Sequence, residues 1–218
     1  PTIELIEILE SIPNLKRHNI EVVKFSEFSE NNGWGNNELQ YYKRENVSVE
    51  NGRLIINAKN EFFNNNNYTS SRVTTQGKKS FKYGRIDIRA RMPEGQGLWP
   101  ALWMLGDNFS TEGWPSCGEI DIMELIGGDG YNDRTIYGTG HWSNNGSHAE
   151  HSGNNSLASG KYNDEFHVFS IVWDSGSIKW YRDDIQYHTL NIANLGAFKK
   201  KFFFILNINC FSVANDLI

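Results

Sequence analysis

The chain has 218 residues, of which 39% are hydrophobic, and a formal net charge of −5. This length is compatible with one large domain that buries a sizeable core. The chain has no basic block, which argues against nucleic acid as a partner, and no apolar stretch reaches the ~18 residues of a membrane span.

The first twenty residues differ from those that follow. Apolar side chains recur there at the spacing of a short amphipathic helix, at Ile3, Ile6, Leu9 and Ile12. Pro13 would end such a helix. We therefore predict an N-terminal extension over residues 1–20 and a second unit over residues 21–218.

Short β-like runs follow. The first is residues 22–28, and Asn51-Gly52 is a strong hairpin-turn signal. Residues 85–91 alternate charged and apolar side chains, as in an antiparallel sheet with one solvated face. Such runs recur with turn signals between them and without βαβ alternation, so they predict an all-β sandwich of two antiparallel sheets.

Aromatic residues make up 13% of the chain. Trp99 and Trp103 are four residues apart, so both would face the same side of a strand. They would either pack in the core or line a groove that stacks on sugar rings. A groove rim supplies partners for their indole N–H groups more easily than a dry core does.

Three acids lie within the seven residues 118–124. Glu119 and Asp121 would share one face of a strand, whereas Glu124 needs a one-residue β-bulge near Met123 to join them. The two Glu backbones would then be roughly 13 Å apart, and their long side chains would lean inward. Retaining glycosidases need two carboxyl groups about 5–5.5 Å apart. A solvated acidic face and a cation site are the alternatives.

Three runs resemble motifs of glycoside hydrolase family 16. They are Trp-Gly-Asn-Asn-Glu-Leu-Gln-Tyr-Tyr at 34–42, Gly-Leu-Trp-Pro-Ala at 97–101 and Trp-Pro-Ser-Cys-Gly-Glu-Ile-Asp-Ile-Met-Glu at 114–124. The i, i+2, i+5 acid spacing resembles the laminarinase-type branch, which hydrolyses β-1,3-glucan. Over residues 22–208 the resemblance implies a concanavalin-like β-jelly roll with a substrate cleft on its concave sheet.

The resemblance implies a retaining endo-β-1,3-glucanase that cleaves laminarin or mixed β-1,3/1,4-glucan without a cofactor for the chemistry. Glu119 would be the nucleophile, Glu124 the acid/base, and Asp121 would orient Glu119. The implied substrate-binding residues are Asn36, Arg72, Trp99, Trp103, Trp114 and His141. We expect His141 to bond to Asp121 or the substrate, although a lone His is more often structural. By spacing alone, Arg72 is equally a surface residue.

The end of the chain departs from the family pattern. Residues 201–208 resemble its late Phe-Phe-x-x-Leu-Asn strand, but residues 209–218 match neither the following loop nor the closing strand. In the family, that strand supplies one ligand of a structural calcium site. We therefore expect an incomplete calcium site and a sheet edge that is either unpaired or covered by the N-terminal extension, although nothing in the residues of that extension demands the second.

Other expectations concern the compartment and the assembly. Cys117 and Cys210 either pair or remain free thiols. No signal-peptide pattern precedes the first residues, and Asn-x-Ser/Thr sequons add little to the expectation of secretion in a chain so rich in Asn. We expect a secreted monomer.

Two other functions are compatible with the same fold. A β-glucan-binding lectin would bind laminarin without releasing reducing sugar, but such relatives lose the acids that this chain keeps. A β-glucan transglycosylase would use the same carboxylates, and its product lengths would distinguish it from a hydrolase.

Overall fold

The computed structural model of the chain describes residues 2–10, 24–25, 36–127 and 132–211. Its regular structure is almost entirely β. These described residues also form one α-helix, α1 (Phe109–Glu112), and three short 3₁₀-helices, at Arg44–Asn46, Asn132–Arg134 and Gly196–Lys199. The strands are β1 (Thr2–Glu10), β2 (Lys24–Phe25), β3 (Gln40–Tyr42), β4 (Val47–Glu50), β5 (Arg53–Asn57), β6 (Lys59–Phe63), β7 (Asn66–Ser70), β8 (Arg72–Thr74), β9 (Gly84–Arg91), β10 (Leu98–Gly106), β11 (Glu119–Glu124), β12 (Thr135–Asn144), β13 (Ser147–Ser156), β14 (His167–Trp173), β15 (Ser177–Arg182), β16 (Ile185–Asn191) and β17 (Phe202–Cys210). Within these described ranges, no helix has the length and apolarity to cross a bilayer.

Two seven-stranded sheets form the body of the protein. The front sheet has the order β13-β12-β11-β10-β17-β8-β2, and the back sheet has the order β16-β15-β14-β9-β1-β5-β4. Neighbouring strands within these two sheets are antiparallel, for example β10 with β11 and β14 with β9. A third sheet, β3-β7-β6, contains a parallel pair. The predicted sandwich of two antiparallel sheets is confirmed.

The main core lies between the front and back sheets. Alternate residues of β17, such as Phe202 and Phe204, join it from the front, while Trp173 and Trp180 join it from the back. Both Trp side chains are fully buried. Burying each large apolar side chain contributes about 1.5–3 kcal/mol, so this layer holds the two sheets together.

The two cysteines do not pair. Cys210 belongs to the main core, whereas Cys117 lies in a smaller apolar cluster with Leu105, Phe203 and Ile205. Both thiols are free and buried. Of the two alternatives that the sequence allowed, the structure has free thiols, and burial raises the pKa of Cys117 to about 11.

The predicted hairpin at Asn51-Gly52 is confirmed. These two residues connect β4 to β5 with φ angles of 51° and 76°. Positive φ at both central positions is the type I′ requirement that Asn-Gly satisfies at little steric cost. The turn sets the register in which Glu50 pairs with Arg53.

The predicted N-terminal helix is wrong where the structure describes it. Residues 2–10 form β1, an inner strand of the back sheet between β9 and β5. A register shift between Leu5 and Glu7 places Glu4 opposite Arg91 and Glu7 opposite Arg89. The helix-like apolar spacing did not decide the structure, because two neighbouring strands offer hydrogen-bond partners along this segment. The register shift is a β-bulge in the strand. Pro13 and the proposed boundary at residues 20 and 21 lie outside the described residues.

Glu4→Pro tests whether β1 is an inner strand. Glu4 pairs with Ile55 on one side and Arg91 on the other, and proline removes a ladder N–H at that position. We expect the free energy of unfolding to fall by about 1–3 kcal/mol, measured by urea denaturation. Glu4→Thr keeps the N–H and is the control; equal stability of the two variants would contradict the pairing.

Candidate active site

The acid run lies on β11, between β10 and β12 in the front sheet. On the β10 side, Trp103 lies opposite Asp121 while the adjacent Leu102 lies opposite Met123. Ile122 is therefore an extra residue in β11. This register shift confirms the predicted bulge near Met123.

The bulge places all three acids on one face of the sheet. Glu119 and Glu124 are partly buried and Asp121 is 3% exposed. Ile120 and Ile122 lie in the main core on the opposite side. The acids therefore project from a strand whose other face is anchored in the core.

Burial is the largest cause of a raised pKa at each of the three carboxyl groups. Neighbouring charge adds to it, since Asp121 raises the pKa of Glu119 and Glu124 raises that of Asp121. Arg72 opposes both effects and lowers the pKa of Glu119. Desolvation of the carboxylates therefore contributes more to the raised pKa values than the neighbouring charges do.

Trp99 holds Glu124 in place. Its indole Nε1–H donates a hydrogen bond of 2.9 Å to Oε1 of Glu124, and this bond lowers the pKa of Glu124 against the effect of burial. The edge of the ring contacts Phe211, with 6.4 Å between ring centres. Trp99 thus has a positioning contact that sequence reasoning missed, and its stacking on a sugar remains a prediction.

His141 lies beside the other two acids. Its Nε2 is 2.9 Å from Oδ2 of Asp121 and 3.7 Å from Oε1 of Glu119. The cause is register, because His141 on β12 pairs directly with Glu119 on β11. The predicted proximity of His141 to the acids is therefore what the structure shows, with Asp121 as its hydrogen-bond partner.

A back-sheet tryptophan supports the acid strand from behind. Trp180 Nε1–H donates a 2.7 Å hydrogen bond to the main-chain oxygen of Asp121. The indole reaches this strand because Gly138 has no side chain, and a Cβ there would lie 2.3 Å from Cδ1 of Trp180. The position of Asp121 thus depends on contacts from both sheets.

Trp180→Phe tests this support against a matched control. Trp173 is equally buried, but its Nε1–H finds no acceptor in the part of the chain that the structure describes. Both Phe variants lose indole volume, and Trp180→Phe also leaves the Asp121 carbonyl without its donor. We expect Trp180→Phe to lose about 1–2 kcal/mol more than Trp173→Phe in chemical denaturation. Equal losses would show that the hydrogen bond adds nothing.

Arg72 and Trp103 contact each other on the β10 side of the acids, away from His141 on β12. The Arg72 guanidinium carbon lies 5.0 Å from the centre of the Trp103 ring, within cation–π range. Trp103 Nε1–H donates a 2.7 Å hydrogen bond to Oδ1 of Asn207, and the ring packs against the smaller apolar cluster. Trp103 is therefore partly a packing residue. Arg72 is near enough to affect Glu119 and is not an isolated surface cation.

A buried polar network continues from Asn207. Asn207 Nδ2 donates to Tyr42 Oη at 3.2 Å, and Tyr42 Oη lies 3.2 Å from Oε2 of Glu38. Glu38 also accepts from Gln40 at 2.6 Å and from the exposed Asn36 at 3.2 Å. Asn36 is thus connected to the acid-bearing face through Glu38.

The structure adds residues of this network that were not predicted as site residues, chiefly Glu38, Gln40 and Tyr42. Their spacing was a usable signal, because i, i+2 and i+4 on an extended run share one face. Burial raises the pKa of Glu38.

Trp114 is the most exposed of the three predicted stacking tryptophans, with 49% of its surface accessible. Its ring centre lies 4.7 Å from that of His148 and 6.5 Å from that of His141. It therefore flanks the acids on the side of β12, with ring surface available to a ligand.

A pocket adjoins the acids at the Glu124 end. Its lining residues are Trp99, Glu124, Ile126, Tyr137, Thr139, His141, Glu150 and Ser152. Tyr137 and Thr139 were not predicted as site residues, although they alternate with His141 on β12 and so share its face.

Among the residues that the structure describes, two groups of side chains have ligand atoms close enough to hold a metal ion. One is Glu119, Asp121 and His141, and the other is His141, His148 and Glu150; the atoms of each lie within 4.8 Å of one another. Both contain a histidine, whereas calcium prefers oxygen ligands. The expectation of an incomplete calcium site stays a prediction.

A sequence model described as glycosyl hydrolases family 16 matches residues 35–203. The chain belongs to this family. It is 43% identical over 161 residues to a beta-glucanase of Rhodothermus marinus, covering 72% of this chain and 55% of that protein. It is 42% identical over 182 residues to the clotting factor G alpha subunit of Tachypleus tridentatus, covering 81% of this chain and 26% of that protein.

A solved family-16 structure is similar over almost the whole chain. The laminarinase catalytic domain from Thermotoga maritima MSB8 matches with a TM-score of 0.78 and 40% identity, covering 96% of this chain and 88% of that one. Membership of family 16 confirms the resemblance drawn from the sequence motifs, and the jelly-roll sandwich with it. The chain spans about half or less of the two curated relatives named above.

Proposed function

We propose that this family-16 chain is a retaining endo-β-1,3-glucanase that acts on laminarin-like glucan. The observation that carries the proposal is the bulge at Ile122, which places Glu119, Asp121 and Glu124 on one face. The beta-glucanase and laminarinase relatives support the choice of substrate. A pair of carboxyl groups flanking the scissile bond is what retaining hydrolysis needs.

Glu124 is suited to be the general acid. Burial raises its pKa, which favours the protonated form that the first step requires. Trp99 donates to Oε1, and an indole N–H is a donor only. The proton of Glu124 therefore belongs on Oε2, from which it passes to the leaving glycosidic oxygen.

Glu119 is suited to be the nucleophile. Although burial raises its pKa, the positive charge of Arg72 favours its carboxylate form. Asp121 acts as a positioning residue, since it bonds to His141 and lies beside Glu119. Glu119 attacks the anomeric carbon as the glycosidic bond breaks, and a covalent glycosyl–enzyme forms.

The second step reverses the role of Glu124. Having given up its proton, its carboxylate takes a proton from water, whose oxygen attacks the anomeric carbon and releases Glu119. Two successive inversions retain the β configuration. The Trp114 ring and the pocket beside Glu124 would hold sugars on either side of the cleaved bond.

A reducing-sugar assay on laminarin, lichenan, agarose and xyloglucan tests the proposal. We expect laminarin to be the best substrate, with oligosaccharide products from internal cleavage and lower activity on lichenan. Laminarin binding without new reducing ends would favour a lectin. Products longer than the starting chains would favour a transglycosylase, and a preference for agarose or xyloglucan would overturn the linkage assignment.

Trp99→Phe should shift the pH dependence of kcat. The Trp99 hydrogen bond lowers the pKa of Glu124, so losing it raises that pKa further. The general acid then stays protonated to higher pH, and the alkaline limb of the kcat profile moves upward. The measurement is kcat on laminarin across pH. An alkaline limb that stays in place or moves downward would contradict the assignment of Glu124 as the acid.

Secretion, a monomeric state and chemistry without a cofactor remain predictions. The proposed steps use carboxylates and water alone, so chelator treatment should leave kcat on laminarin unchanged. Gel filtration of the purified chain would measure the assembly state.

A further inference from the structure

A cluster outside the proposed catalytic steps lies on the hairpin of β12 and β13. Asn145 and Gly146 form its two-residue turn, with φ angles of 52° and 83°, which are typical of type I′. This turn sets the register in which His141 pairs directly with Glu150. His148 is two residues before Glu150 on the same strand, so both share one face.

Three potential ligand atoms converge on that face. His141 Nδ1 is 2.9 Å from His148 Nε2 and 3.4 Å from Glu150 Oε2, and His148 Nε2 is 3.7 Å from Glu150 Oε2. Ligands of a tetrahedral ion with bonds near 2.0–2.2 Å are about 3.3 Å apart. The three separations bracket that value, so small side-chain rotations would suffice to enclose an ion.

The ring of His141 is already oriented for such a role. Its other nitrogen, Nε2, lies 2.9 Å from Oδ2 of Asp121. Donation of Nε2–H to this carboxylate leaves the lone pair of Nδ1 directed at His148 and Glu150. A carboxylate that fixes the tautomer of a metal-binding histidine is the usual outer contact in zinc sites.

We propose that His141, His148 and Glu150 form a three-ligand site for a divalent transition-metal ion, with Zn²⁺ as the best chemical match. Two imidazoles and one carboxylate suit Zn²⁺ and discriminate against Mg²⁺ and Ca²⁺, which prefer oxygen ligands. Three protein ligands leave a fourth position for water. The carboxylates of Glu119, Asp121 and Glu150 lie close together and favour a cation electrostatically.

The site would couple metal binding to hydrolysis. His141 and Glu150 line the same pocket as Glu124, so an ion between them competes with a sugar for that space. On the proposed function, Zn²⁺ therefore acts as a competitive inhibitor that raises KM for laminarin. This consequence depends on the proposed function, whereas metal binding itself does not.

Isothermal titration of the chelator-treated full chain with Zn²⁺ tests the site. We expect one ion per chain, no displacement by excess Mg²⁺, and at least about a tenfold loss of affinity in His148→Gln. His151→Gln is the matched control: it removes another exposed histidine of β13, whose ring stacks on His188 at 4.9 Å instead. His151→Gln should bind Zn²⁺ as the unsubstituted chain does.

Two results would overturn the site. One is the absence of Zn²⁺ binding, and the other is an affinity unchanged by His148→Gln, which would place the ion elsewhere, for example at Glu119, Asp121 and His141. Co²⁺ gives a second readout, since the visible absorption of four-coordinate Co²⁺ should appear in the unsubstituted chain and be lost in His148→Gln. Circular dichroism of both variants would check that they are folded.

Kinetics then test the coupling. Zn²⁺ should raise KM for laminarin in the unsubstituted chain, with recovery on adding a chelator. The KM of His148→Gln for laminarin should change little on adding Zn²⁺, compared with the zinc-free KM of the same variant. Equal inhibition of both proteins would overturn the coupling, and inactivity of both without Zn²⁺ would instead count against the proposed function.

Discussion

Glu119→Gln is expected to reduce kcat on laminarin by about 10⁴-fold or more, because an amide cannot form the glycosyl ester. The substitution keeps the shape of a side chain that is only partly buried. It also removes one of three neighbouring acids whose negative charges repel one another, so the folded state should remain at least as stable. The measurement is release of reducing sugar, with thermal unfolding to show that the variant is folded.

Reaction with azide tests the assignment of Glu119 as the nucleophile more directly. In a smaller variant, Glu119→Ala, azide can occupy the space of the lost carboxylate and attack the anomeric carbon directly. A single displacement inverts the centre, so the product should be an α-glycosyl azide. Glu112→Gln, at a surface carboxylate paired with Lys200, is the control. Full activity of Glu119→Gln would refute the nucleophile assignment.

Glu124→Gln is expected to reduce kcat on laminarin by about 10²–10⁴-fold, the usual contribution of a positioned acid or base. The leaving group of laminarin is a sugar hydroxyl, which needs a proton. An aryl β-glucoside oligosaccharide with an acidic phenol needs little help, so its first step should stay fast. The expected signature is therefore a large loss on laminarin and a burst of phenol from the aryl substrate.

The azide product distinguishes the two carboxylates. In Glu124→Ala, Glu119 still forms the glycosyl–enzyme, and azide attacks that intermediate without base assistance. Two inversions should give a β-glycosyl azide, the opposite of the product expected from Glu119→Ala. An α product from Glu124→Ala would reverse the assignment of the two roles.

The arrangement of the three acids was predictable because its pattern is local. Glu119, Asp121 and Glu124 lie within six residues, and the period of a strand makes their i, i+2, i+5 spacing depend on one bulge. The bulge was inferred from the acids and was found at Ile122. Burial, the main cause of the raised pKa values of these acids, depends on the packed sandwich and not on the local pattern.

The partners of the acids were harder to predict. The contact of Trp99 with Glu124 joins residues 25 positions apart, and that of Trp180 with Asp121 joins residues 59 apart. No local period encodes such distances. The family resemblance implied that Trp99 is a cleft residue, but only strand pairing and sheet packing direct the N–H groups of Trp99 and Trp180 to these oxygens.

The N-terminal segment shows the limit of periodicity. Its apolar spacing fits a helix, yet β1 lies between β9 and β5 with a bulge after Leu5. A short segment with ambiguous period adopts the structure for which neighbours offer hydrogen bonds. Those neighbours are far away in the chain, at residues 54–57 and 86–91, so the segment alone could not reveal them.

By itself, then, the sequence determined the all-β class, the family and the three acids, since alternation and motif order are properties of neighbouring residues. Tertiary structure decided what surrounds those acids. It directed Trp99 to Glu124, set His141 between Asp121 and the His148–Glu150 pair, and made the first nine described residues an inner strand. Each of these depends on register between distant strands, which is settled by burying one face of each sheet in a common core.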